Sequence, residues 1–136
     1  MTKSKLNIGL WVAQVMLALV FGMAGVMKLT MAIPDLAAMM TWPGNFPEVM
    51  VRFIGAAELL GAIGIILPAA TKILPLLTPL AAAGFALVQI LAIPVHVSQG
   101  DIAMVGPINV ILLGLSLFVI WGRYRKLPIV TKGEAV

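Results

Sequence analysis

Arg52 and Glu58 stand six positions apart inside a run otherwise apolar enough to cross a bilayer, Arg52-Phe-Ile-Gly55-Ala-Ala-Glu58-Leu-Leu-Gly61-Ala-Ile-Gly64-Ile-Ile-Leu-Pro68. A charge at the centre of a membrane segment costs about 2.5–3.5 kcal/mol on insertion scales. Such residues therefore mark a site or a network whose partners should be sought. On a helix the two charges flank Gly55 by about 60° on either side and lie about 9 Å apart along the axis. A base and an acid so placed can pair with each other, take partners from neighbouring helices, or hold the polar end of a ligand.

Lys28, Gln89, His96 and Asn109 also sit within or at the ends of apolar runs. With Arg52 and Glu58 they make up the candidate ligand-binding or polar network. Two bases, one acid and one titratable histidine suit a small polar or anionic head group. No catalytic residue and no metal site are expected. The chain has no cysteine, which removes thiol–disulfide chemistry and Cys-ligated clusters. Its single histidine excludes bis-histidine haem. The net charge of +4 does not indicate nucleic acid, because the basic residues lie at the ends of apolar runs and act as topology signals.

The elements that must position these residues follow from composition. Of 136 residues, 62% are hydrophobic and 10% charged, against about 25% charged in soluble domains. Mean hydropathy is +1.12. This implies an all-α integral membrane protein, a four-transmembrane-helix bundle forming one membrane domain over residues 1–136. At about 20 residues per span, the spans are expected at about 7–29, 48–67, 73–96 and 107–122, followed by a basic tail at 123–136 that is disordered toward Val136. Lys3 and Lys5 imitate the start of a signal peptide. The apolar run from Ile8 to Met27 exceeds the usual hydrophobic region of about 7–15 residues, so it is expected to be kept as the first span.

Helical spacing arranges the spans internally. Gln14, Ala18, Phe21, Gly25 and Lys28 share one stripe, and Thr78, Ala82, Phe85, Gln89, Ala92 and His96 share another. Asn109, Leu113 and Ser116 share a face of the last span. Gly25, Gly55, Gly61 and Gly64 are the expected helix-packing positions, with Ala57 and Gly61 forming a small-x-x-x-small pair. Pro68 is expected to end the second span, Pro79 to lie inside the third and Pro107 to open the fourth. Ile33-Pro34-Asp35 starts a short interfacial helix or ordered loop, which Trp42-Pro43-Gly44-Asn45-Phe46-Pro47 breaks.

Seven of the nine Lys and Arg residues, namely Lys3, Lys5, Lys72, Arg123, Arg125, Lys126 and Lys132, belong to the termini and the second connection, and Lys28 and Arg52 to the other side. This asymmetry places both termini in the cytoplasm of a multi-pass inner (plasma) membrane protein. Lys28, Arg52, Glu58, His96 and Asn109 then converge in the outer third of the bundle, with Gln89 deeper. Two readings stay open. Glu58 pairs with Lys28 or Arg52 in a structural network, or these groups line an outward-facing pocket with a lipid-soluble tail lying between helices.

At these residues the chain resembles the DoxX-like family of small four-helix membrane proteins. The resemblance rests on Phe21-Gly-Met-Ala-Gly25-Val-Met-Lys28-Leu29, on Arg52-x-x-Gly55-x-x-Glu58-x-x-Gly61-x-x-Gly64 followed by Pro68, on the Pro-x-x-Ala run leading to His96, and on Asn109. It implies a quinone-linked role or, through other relatives, a membrane chaperone. The leading expectation is an accessory or ligand-binding protein, not itself an enzyme, that holds a quinone or a lipid. Alternatives are an assembly factor acting through helix–helix contacts and a subunit of a quinone-linked oxidoreductase. Its partners are the lipid bilayer and either another membrane protein or a homo-oligomer.

Overall fold

Lipid offers no hydrogen-bond partner to a bare backbone N–H or C=O, so an apolar run that crosses it must satisfy each group internally, as a helix does. The computed structural model describes residues 2–134. Among them are five α-helices and no strand: α1 Lys3–Thr30, α2 Ile33–Met40, α3 Glu48–Thr71, α4 Leu77–Gln99 and α5 Ile102–Trp121. A 3-10 turn, Trp42–Asn45, follows α2, and a π-helical turn, Gly122–Lys126, continues α5. The long helices α1, α3, α4 and α5 are apolar enough to cross a membrane, so the protein is a four-span bundle in contact with lipid. Around the bundle α1 packs on α3, α3 on α4, α4 on α5 and α5 on α1.

The core is built from alanine, branched aliphatic and phenylalanine side chains on the inward stripes. Ala13, Leu17 and Phe21 of α1 meet Ala62 and Ile65 of α3, Ala82 and Phe85 of α4, and Leu112 and Val119 of α5. Phe21 and Phe85 stack at the centre with ring centroids 3.9 Å apart. Gly61 gives Phe85 its seat, since a Cβ there would stand 2.5 Å from the ring. Leu19, Met23, Leu60, Ile63, Leu87 and Ile111 point outward, the arrangement lipid favours. Ala57 is also exposed, so the expected Ala57–Gly61 pair is not the packing seam. That seam runs through Gly25 and Gly55.

Three prolines depart from the sequence expectation. Pro68 does not end α3, which continues to Thr71 and is capped by Lys72 in the left-handed region at φ 58°. The missing N–H of Pro68 frees the Gly64 carbonyl, toward which Thr78 Oγ1 donates a long hydrogen bond of 3.5 Å. The next carbonyl, that of Ile65, accepts from Gln14 Nε2 at 2.8 Å. Neighbouring helices thus supply what the proline removes. Because α4 starts at Leu77 rather than Ile73, Pro79 falls in its first turn, where an N–H has no intrahelical partner to lose. Pro107 lies inside α5, not at its start. The polar turn expected from Val97 to Gly106, between the third and fourth spans, shrinks to Gly100 and Asp101, because Gly100 takes φ 79° and closes α4 through Gly100 N–H to Val97 O and Asp101 N–H to His96 O.

The tail is held along part of its length. Lys132 N donates to Lys72 O at 2.9 Å, tying it to the α3–α4 connection. The expected disorder toward Val136 concerns residues 135 and 136, which lie outside the described residues.

Candidate functional site

Where α1 crosses α3, backbone comes close to backbone. A Cβ on Gly25 would stand 2.7 Å from Gly55 O and 2.8 Å from Leu59 N, and one on Gly55 would stand 2.7 Å from Lys28 Cβ. With the backbones this close, Lys28 Nζ donates to both carboxylate oxygens of Glu58, at 2.7 and 3.0 Å. The two side chains are 7% and 4% exposed. Each is the other's counter-charge, and removing one would strand the other inside the bundle.

Arg52 takes a different role from the one its spacing suggested. Its Nη1 donates to Lys28 O at 2.6 Å and Met31 O at 2.7 Å. Its Nη2 and Nε donate to Glu48 Oε1 at 2.9 and 3.2 Å. The last carbonyls of a helix lack intrahelical donors and carry partial negative charge. A guanidinium fork matches them, so Arg52 clamps the end of α1 and leaves Glu58 to Lys28.

His96 Nδ1 lies 2.9 Å from Asp101 Oδ1 in the α4–α5 turn. An ionised carboxylate only accepts, so Nδ1 carries the proton in the neutral ring and Nε2 becomes an acceptor. Gln89 and Asn109 are buried. Gln89 Oε1 and Asn109 Nδ2 have no hydrogen-bond partner among the described residues. Neither residue joins the Lys28–Glu58 pair.

A cavity of about 370 Å³ connects the pair with His96. Met50, Phe53 and Ile54 of α3 and Val88, Leu91, Ala92 and Val95 of α4 form its apolar walls. Phe53 and Leu91 are 72% and 60% exposed, so the cavity opens sideways between α3 and α4 onto the lipid-facing surface. Trp42 and Phe46 also line it, their rings edge to face at 5.9 Å, and Lys28 Nζ lies 5.6 Å from the Trp42 ring centre. The 3-10 turn that carries Trp42 reaches across to α4. Just before it, Thr41 adopts φ 61°, ψ −58°, a conformation that costs a β-branched residue energy and persists only where surrounding structure holds it. Backbone hydrogen bonds hold it, Thr41 N–H donating to Ala37 O at 2.9 Å and Gly44 N–H donating to Thr41 O at 3.1 Å. Arg52, Gln89 and Asn109 do not line the cavity. Among the described residues, no three His, Asp or Glu side chains are grouped to hold a metal ion.

A second polar cluster, at the opposite end, escaped the sequence reading, which left Arg123 in a free tail. Arg123 is 4% exposed. Its Nε donates to Gln14 Oε1 at 2.7 Å and its Nη1 to Asn7 Oδ1 at 2.9 Å, across 109 and 116 positions of chain. No local spacing could signal it. The only hint was Gln14, the polar residue at the N-terminal end of the α1 stripe.

Comparison with known proteins identifies a family. The model of a family described as "DoxX-like family" matches residues 12–119, a stretch that holds both the Lys28–Glu58 pair and His96. No curated protein and no solved structure matches the chain.

Proposed function

The chain belongs to the DoxX-like family, and we propose that it is a non-catalytic ligand-binding or accessory membrane protein whose side-opening cavity takes a lipid-soluble molecule with a small, neutral, hydrogen-bonding head, of the quinone class. The observation that carries this reading is the closed ion pair at the cavity edge. Lys28 is neutralised by Glu58 at 2.7 Å, and Arg52 is turned to the end of α1. The cavity therefore offers hydrogen bonds without net charge, which favours carbonyl or hydroxyl groups over an anionic head. His96 Nε2 would accept from a hydroxyl. The third N–H of Lys28, beyond the two given to Glu58, would donate to a carbonyl. Trp42, Phe46 and Phe53 offer apolar ring surface, and an isoprenoid or acyl tail would leave past Phe53 and Leu91.

The distribution of basic residues supports an orientation with both termini in the cytoplasm and the cavity toward the outer leaflet of the plasma membrane. Native mass spectrometry in mild detergent, with a short-chain benzoquinone added, tests the reading. Wild type should retain the quinone or a co-purified neutral lipid. Ala92→Phe, which fills the cavity while leaving the ion pair intact, should retain neither. Equal occupancy in both proteins, or none in wild type, rules the reading out.

A further inference from the structure

Arg123 is, with Lys28, a deeply buried cation of this protein, and unlike Lys28 it has no carboxylate partner among the described residues. Its protein hydrogen bonds go to the neutral amides Gln14 and Asn7, and its Nη2 has no partner among the described residues. The indole of Trp11 lies beneath it, 5.6 Å from the guanidinium carbon. A buried charge without a counter-charge is costly unless something supplies one. The protein has little to offer nearby. Asp35, Glu48, Glu58 and Asp101 belong to the opposite end, which leaves exposed Glu134 as the acid of the tail among the described residues.

Arg123 lines a cavity of about 590 Å³ together with Lys3, Asn7, Trp11 and Lys72. One wall is the tail segment from Leu127 to Val130, which the Lys132–Lys72 backbone bond draws back against the bundle. Three cations, a hydroxyl from Ser4 and several apolar side chains therefore face one space, and no acid is among them. The space lies where α1 begins and where α3 and α5 end.

We infer that this cavity is a binding site for a phosphate-bearing anion, with Arg123 as its base and Lys3 and Lys72 at its mouth. A guanidinium fork and two ammonium groups match phosphate oxygens. Basic recesses at the cytoplasmic ends of membrane helices are suited to anionic head groups. The same chemistry serves an anionic phospholipid or free phosphate.

The test uses the full chain in mild neutral detergent. Thermal unfolding and native mass spectrometry are recorded with phosphatidylglycerol, with phosphatidylcholine and with inorganic phosphate. Phosphatidylglycerol should bind wild type at least about tenfold more tightly than phosphatidylcholine and raise its unfolding temperature. Lys3→Gln/Lys72→Gln should lose about tenfold of that affinity, whereas the charge-matched control Arg125→Gln/Lys126→Gln, at exposed positions, should lose far less. Arg123→Gln should abolish the preference. If it fails to fold, the double variant decides. A matching response to millimolar phosphate identifies the free anion as ligand, and a response to the lipid alone identifies the head group. Equal binding of the two lipids with no phosphate effect overturns the inference. So does an equal loss in the two double variants.

Discussion

Lys28 and Glu58 meet because each charge stands three positions after a glycine that touches the other helix. Gly25 precedes Lys28 on α1 and Gly55 precedes Glu58 on α3. The helices run antiparallel, so Gly55 lies against Lys28 Cβ while Gly25 lies against Leu59 N, beside Glu58. The repeated Gly-x-x-charge spacing is thus reciprocal. Each glycine clears room where the other helix carries its charge, and the side chains close a bridge of 2.7 Å.

Breaking that bridge on one side should cost far more than removing it whole. Glu58→Gln or Lys28→Met alone is expected to destabilise the bundle by about 3–5 kcal/mol, because a buried charge is left uncompensated. The double variant Lys28→Met/Glu58→Leu should recover most of that loss. Unfolding followed by circular dichroism in a denaturing-detergent titration checks both. If the double variant is as unstable as the sum of the singles, the pair is not the source of the effect.

The glycines divide into two groups by what a methyl would meet. Gly55→Ala and Gly25→Ala press a Cβ to within 2.8 Å of neighbouring atoms and should destabilise by more than about 2 kcal/mol, since helix backbone must move apart. Gly84→Ala and Gly114→Ala meet nothing within 4 Å. They should be neutral or stabilising by about 0.5–1 kcal/mol through the lower entropy of the unfolded chain. The same titration ranks all four.

Thr41 holds positive φ beside the aromatic turn. Thr41→Gly should relieve strain and raise stability by roughly 1 kcal/mol, whereas Thr41→Val should not. A lowered melting temperature for the glycine variant would show that the Thr41 conformation is not strained.

Asp101 orients the His96 ring from outside the cavity. His96→Phe should weaken a hydroxyl-bearing quinol by about tenfold, the worth of one hydrogen bond of ~1.4 kcal/mol, while leaving an apolar ligand unaffected. Asp101→Asn should give a smaller loss in the same direction, because the ring keeps a partner but no longer a charged one. Titration of intrinsic tryptophan fluorescence, with Trp42 in the cavity wall, measures both. Equal weakening of both ligands by His96→Phe would remove the hydrogen bond from the account.

Much of the architecture is legible in the sequence. Four long apolar runs separated by Pro, Gly and charge can satisfy a lipid solvent only as helices. The spacing of Gln14, Phe21, Gly25 and Lys28, and of Thr78, Ala82, Phe85 and Gln89, placed those side chains on common faces, and these are buried. Boundaries were less legible. Pro68 read as a helix end because a chain of residues does not reveal which neighbouring helix will donate to a freed carbonyl, and Pro107 read as a helix start although α5 already begins at Ile102. Arg123 was misplaced for the same reason, since its partners at Asn7 and Gln14 lie more than a hundred positions away.

Sequence alone therefore determined the class, the number of spans and the angular position of each polar side chain on its own helix, because hydropathy and helical period are local properties. Glu58 had two possible bases by sequence, Arg52 and Lys28. Only the tertiary structure decided for Lys28, sent Arg52 to the carbonyls at the end of α1 and buried Arg123 against the amides of Gln14 and Asn7. The physical reason is that pairing depends on how far two helices slide along each other and how closely they approach. Between α1 and α3 both are set by a contact between Gly25 and Gly55, thirty positions apart in the chain.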